Sequence, residues 1–238
     1  MTRAERTAAV QGRPRRIEDV VRRMKEIVRE LPPTDGVSAF TQLYLAVTEA
    51  VAAAASTSEF EDVRFLRTLD VRFANLYFDA LDALAHRRRV ARAWAPLVEA
   101  RGRRGVLPLQ FALAGMNAHI NADLPVALTQ TWDELGRRPR RSSPERRDYR
   151  RVNALLAQTE ARVKPTLVIG PLATADAALG HADDVLAMWK VEQAREAAWV
   201  NAETLWALRD APGLRRAFLR TLERTVGFAG RGLLRPVH

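Results

Sequence analysis

From Ile17 to Val226 apolar residues return every three or four positions, segment after segment, and no long stretch alternates at the two-residue period of a half-buried strand. Ile17, Val20, Val21, Met24, Ile27, Val28 and Leu31 fall on one face, with Arg22, Arg23, Lys25, Glu26 and Arg29 between them. Pro32-Pro33 removes two N–H donors and stops that helix, and Asp35-Gly36 turns the chain. Phe40, Leu43, Tyr44, Val47 and Val51 mark a second helix, ending near Ser56-Thr57-Ser58. In the next, Phe73, Tyr77, Ala80, Leu81 and Leu84 share one arc, while Arg72, Asn75, Asp79, Asp82 and His86 share the other. A short helix around Trp94 and Leu97 precedes one from Pro108 to about Asn121 and another from Leu124 to Leu135. Ser143-Pro144 has the form of a cap followed by a first-turn proline. Leu167 to Ile169 is the one run that could pass for a strand, and Pro165, Gly170 and Pro171 make it a connector instead. A long helix is expected from Asp183 or Asp184 to about Arg209, and Leu214, Phe218, Leu219, Leu222 and Val226 form the last.

The pattern predicts an all-α fold: a single-domain multi-helix bundle of roughly eight to ten helices over 17–227, with the 107–123 and 184–209 segments central. Residues 1–16 read as a basic flexible tail and 228–238 as a C-terminal tail. With 47% apolar residues, 238 residues can fill one sizeable core.

The absence of cysteine excludes disulfides, thiolate metal sites and cysteine nucleophiles, and a reducing cytoplasm is the expected setting. No signal-peptide core follows the N-terminal basic residues, and no later segment is expected to span a bilayer. Lys+Arg 38 against Asp+Glu 28 leaves +10, almost wholly arginine, since only Lys25, Lys164 and Lys190 are lysines. The arginines cluster at 13–16, 87–89, 101–104 and 137–151, so a solvated surface is favoured over a nucleic-acid groove.

Phosphate loops, dinucleotide fingerprints, nucleophile elbows, HExxH and the Glu-x-x-His of di-iron bundles are all absent. Two constellations remain. On the helix from Pro108, Leu109, Leu113, Met116 and Ile120 form the apolar arc, bordered by His119 and Asp123 on one side and by Asn117 and Asn121 on the other. The His-x-x-x-Asp spacing lets imidazole and carboxylate share one proton or one divalent cation. Asp123 before Leu124-Pro125 is also a good helix cap, and His119 could equally be a core histidine. On the long helix, Val185, Met188, Trp189, Glu192, Glu196, Trp199, Glu203 and Trp206 fall within one arc, which would leave the glutamates among tryptophans unless arginines pair with them. Asp70 sits on the apolar arc of its helix, as a candidate site residue or a cap.

The segments Leu69 to Leu81, Gly115 to Pro125 and Met188 through Trp206 resemble a bacterial family catalogued only as a domain of unknown function, and the resemblance covers most of the chain after Arg16. It implies a helical fold and carries no activity. His119-x-x-x-Asp123 is also similar to one element of the all-helical zinc phospholipase C and single-strand nuclease families, whose other ligand histidines are missing here.

The expectation is an enzyme acting on a small, largely apolar metabolite in an interhelical pocket by acid/base or metal-assisted chemistry. His119, Asp123, Glu192, Glu196 and Glu203 would be catalytic, His119 and Asp123 would hold any metal, and Asn117, Asn121, Trp189, Trp199 and Asp70 would meet substrate. The alternative is a non-catalytic ligand-binding or interaction protein with an arginine-rich surface. The oligomeric state is not legible in the sequence.

Overall fold

The computed structural model describes residues 12–57, 59–168 and 190–236, with the backbone alone for 160–168. In chain order the helices are α1 (Ile17–Glu30), α2 (Gly36–Ala54), α3 (Val63–Ala85), α4 (Ala95–Ala100), α5 (Pro108–Ala118), a π-turn (His119–Asp123), α6 (Leu124–Glu134), α7 (Pro144–Val168), α8 (Val191–Ala207) and α9 (Pro212–Leu233). Among the described residues no strand forms. The all-α expectation holds.

Local chemistry sets the boundaries. Leu31 is extended ahead of Pro32, the conformation a following proline enforces, and α1 ends there. The Asp35 carboxylate accepts from Val37 N at 2.8 Å and the Asp62 carboxylate from Phe65 N at 3.0 Å, capping α2 and α3. Ser143 Oγ accepts from Arg146 N, as its position before Pro144 predicts.

A continuous rod through α5, the π-turn and α6 is the axis of the molecule. Helices α2 and α9 pack on α5, α3 and α8 pack on α6, and α3, α8 and α9 all reach the π-turn. One main core cluster runs through these elements, with Trp94, Trp132 and Trp199 each 1% exposed. Helix α2 is long and apolar enough by length and composition alone to cross a membrane, but much of it is buried between α1, α5 and α7.

Several boundaries differ from expectation, each for a physical reason. Pro125 was expected to begin a new helix behind an Asp123 cap. Instead the helix continues, and Leu124 N donates to His119 O five residues back. The wider π-turn is a way to carry a proline, which cannot donate to the carbonyl four residues before it. Asp123 is helical and caps nothing with its side chain. Lys190 is extended, so α8 begins at Val191 and no helix runs unbroken through that position; the expected start at 183–184 lies outside the described residues. Helix α7 runs to Val168, so the expected connector at Leu167 is helical as far as it is described. Residues 12–16 are docked rather than free: Pro14 O accepts from Asn75 Nδ2 at 3.0 Å, and Arg13 pairs with Asp79. At the other end α9 extends to Leu233, and Leu233 O and Arg235 O both accept from Gln110 Nε2 at 2.8 Å.

Several arginines make ion pairs between elements. Arg23 meets Asp82 at 2.7 Å, Arg72 meets Glu134 at 2.6 Å, Arg101 meets Asp35 at 2.9 Å and Arg147 meets Glu61 at 2.6 Å, while Arg137 bridges Asp62 and Glu145.

Candidate functional site

His119 stands at the first position of the π-turn, 2% exposed, where α2, α3 and the segment before α4 converge. Its ring is boxed by aromatics. Phe73 lies parallel on it at 3.5 Å between centroids, Tyr44 meets it edge-on at 4.5 Å, and Phe40, Trp94 and Tyr77 stand at 5.8, 5.8 and 6.1 Å. Nδ1 lies 2.9 Å from Asp123 Oδ2, and the Trp94 indole donates to that same oxygen at 3.0 Å. Nε2 is fully shielded and has no hydrogen-bond partner among the described residues. An orphaned N–H is rarer in protein interiors than an orphaned lone pair, so the consistent tautomer has Nδ1–H donating to Asp123 and Nε2 bare. Burial pushes the His119 pKa down, against the Asp123 hydrogen bond, and keeps the ring neutral. Burial pushes the Asp123 carboxyl up, against the bonds from His119 and Trp94.

His119 forms part of the wall of a cavity of about 70 Å³ bounded by α2, α3, α5, the π-turn, α6, α7 and α8. The lining is apolar, with Leu43, Val47, Leu66, Leu69, Met116 and Val152 prominent. Two charged groups break it: Asp70 from the third turn of α3 and Arg195 from α8. Burial lifts the Asp70 pKa to about 7 despite the opposing charge of Arg195. Arg195 is 7% exposed; its Nε donates to Asn153 Oδ1 and its Nη2 to Tyr149 O, both at 2.7 Å, and its guanidinium lies 4.1 Å over the Tyr149 ring. Burial raises the Tyr44 hydroxyl well above its ordinary pKa, so it stays a neutral phenol.

The structure therefore brings together three of the expected site residues, His119, Asp123 and Asp70, the last well inside its helix rather than at a cap. The others lie elsewhere. Asn117 Nδ2 donates to Val226 O at 2.9 Å and its Oδ1 accepts from Asn121 Nδ2 at 3.2 Å, tying α5 to α9. Glu192 is exposed. Glu196 is held by Arg146 and Arg150; burial pushes its carboxyl up, but the bond from Arg150 and the charge of Arg146 outweigh this and keep it low. Glu203 accepts from the Trp199 indole at 2.9 Å, and Trp199 packs on Trp132 and Tyr149 in the core. Trp189 lies outside the described residues. The buried face of α8 is Val191, Arg195, Ala198, Trp199, Ala202 and Leu205, rotated away from the arc drawn through the glutamates.

Sequence reasoning missed Arg195 as a site residue and Trp94, Tyr44 and Phe73 as the walls of the imidazole box. The available signal was a single arginine in register with small and apolar residues at 191, 198, 199 and 202. No group of three His, Asp or Glu side chains able to hold a metal gathers among the described residues. His119 Nδ1 and Asp123 Oδ2, the pair expected to hold any metal, lie 2.9 Å apart and share a hydrogen bond.

The model of a family of unknown function, DUF5995, matches residues 17–236. The chain belongs to this family. No curated protein and no solved structure matches it. Family membership agrees with the resemblance carried by the 69–81, 115–125 and 188–206 segments and assigns no chemistry.

Proposed function

We propose that the protein is an enzyme that performs acid/base chemistry on a small, largely apolar molecule bound in the cavity between α2, α3, α8 and the π-turn. His119 serves as the base through Nε2. Asp123, itself fixed by the Trp94 indole, holds the ring in the tautomer that leaves Nε2 bare, and stabilises the imidazolium when a proton arrives. Asp70, with a pKa near 7, supplies or accepts the second proton at neutral pH. A ligand in the cavity lies against the imidazole, and movement of the part-exposed Phe73 and Val47 gives it access to Nε2.

One observation carries this reading. Most buried histidines satisfy both nitrogens, and leaving one bare costs about 1–3 kcal/mol, yet here Nδ1 is fixed by a carboxylate that an indole holds, while Nε2 has no partner among the described residues.

Solvent-deuterium incorporation tests it, because reversible proton abstraction leaves a mass shift even where no net product forms. The wild-type protein is incubated in D₂O with a mixture of small organic metabolites and analysed by mass spectrometry beside His119→Gln and Asp123→Asn. The expected result is exchange or conversion of at least one component, abolished by His119→Gln and strongly reduced by Asp123→Asn, with helical circular dichroism unchanged. Equal profiles for wild type and a folded His119→Gln would overturn the proposal and leave the non-catalytic binding protein.

A further inference from the structure

Arg195 presents an unbalanced charge. Its guanidinium is buried on neutral partners only: a side-chain amide oxygen, a backbone carbonyl and an aromatic face. Nη1 makes no hydrogen bond among the described residues, and no described carboxylate lies within ion-pair distance. Glu196, its neighbour in sequence, is bonded to Arg146 and Arg150 and acts on Arg195 only through space. Asp70 shares the cavity and senses the Arg195 charge without reaching it. An arginine stays charged in protein interiors, and removing that charge from water without a counter-ion is costly. Among the described residues no anion stands against this guanidinium.

We infer that Arg195 anchors the ligand of this cavity, and that the ligand is a small monocarboxylate whose short apolar tail lies among Leu43, Val47, Leu66 and Met116. This deepens the acid/base reading and rests on it for the claim that the bound acid is a substrate. A planar carboxylate suits a guanidinium edge, and one uncompensated charge calls for one negative charge rather than a phosphate dianion. At about 70 Å³ the cavity is roughly half the ~150 Å³ that takes a benzene molecule, so the acid has one carbon, or two at most, behind its head group. The apolar lining rejects a polar tail.

The occupant's affinity is tied to Asp70. That carboxyl is faced by Tyr44 from α2, His119 from the π-turn and Arg195 from α8, while α7 presents only Val152 and Leu156. Burial keeps the phenol and the imidazole neutral and the guanidinium is always charged, which leaves Asp70 as the group that changes charge near neutrality. Neutral Asp70 tolerates a carboxylate beside it, and ionised Asp70 repels it.

Ligand-detected NMR and calorimetry with acetate and propionate, against acetamide and propanol, test the anchor. In wild type the acids bind and the neutral analogues bind about tenfold more weakly or not at all. Arg195→Met loses at least about tenfold toward the acids. His119→Gln lowers their affinity far less than Arg195→Met does, which separates this inference from the catalytic one. Raising the pH from 6 to 8 weakens acid binding about tenfold in wild type, as expected for a carboxyl of pKa about 7, and leaves Asp70→Asn unchanged. The Asp70→Asn arm decides the matter if Arg195→Met fails to fold. Amides binding as well as acids, or no acid binding to wild type or Asp70→Asn, would remove the anchor. Turnover of a neutral molecule that His119→Gln loses and Arg195→Met keeps would remove it too, while leaving the acid/base reading in place.

Discussion

Asp70 keeps a proton that the unfolded chain releases, and this makes the cavity visible in the stability of the whole protein. Its carboxyl titrates at about 7 when folded against 3.8 as its ordinary value. Below about pH 4 both states are protonated and the full stability is present. Between about pH 4 and 7 the native state binds the proton and the unfolded state does not, so stability falls as pH rises through that window. Asp70→Asn carries no charge at any pH and escapes the loss. Discounted for the part exposure of the side chain, the variant's advantage over wild type should grow by about 1 kcal/mol between pH 5 and pH 8, read from urea unfolding at each pH. A stability difference that stays constant between the two pH values would show that Asp70 titrates normally and that the cavity is wetter than its lining suggests.

At the scale of elements, the site depends on how closely α2 can lie on α5. A Cβ built on Gly115 would stand 2.3 Å from the Phe40 ring, and one on Gly36 would stand 2.4 Å from the Phe111 ring, so two glycines and two phenylalanines interlock across that crossing. Phe40 is also one wall of the imidazole box, at 5.8 Å from the His119 ring. Gly115→Ala should therefore lower stability by about 1–3 kcal/mol, with the melting temperature falling ~2–4 °C for each kcal/mol. It should also disturb any activity that His119 supports. Phe40→Leu added to Gly115→Ala relieves the clash and should recover part of the melting temperature, which a mere loss of helix geometry at position 115 would not allow. The helices themselves were legible because an amphipathic period is local. The π-turn was not: Pro125 marks a break in any reading of neighbours along the chain, and only packing on both sides of the rod carries the helix through it.

For the whole molecule, legibility in the sequence follows the distance over which a contact is made. The His119–Asp123 pair spans four residues and was readable as a spacing. Arg195 becomes a cavity residue only when α8 meets α3 and α7, and the choice between two apolar arcs of α8 depends on neighbours that its own sequence does not name. The chain ends show the same limit most clearly. Residues 228–236 look like a tail because their composition is small and basic, yet Leu234 is 3% exposed in a second core cluster with Ala39, Val106 and Phe111. What binds this segment is Gln110, a polar side chain 123 and 125 residues away from the carbonyls it reaches. A chain ending at Gly227 would leave that buried amide without acceptors, at about 1–3 kcal/mol, and would expose the cluster that Leu234 covers, at about 2 kcal/mol more. The truncated protein should unfold at a clearly lower urea concentration than the full chain. An unchanged midpoint would mean that the segment is the free tail its composition suggests and that α9 is held by Asn117 and Val226 alone.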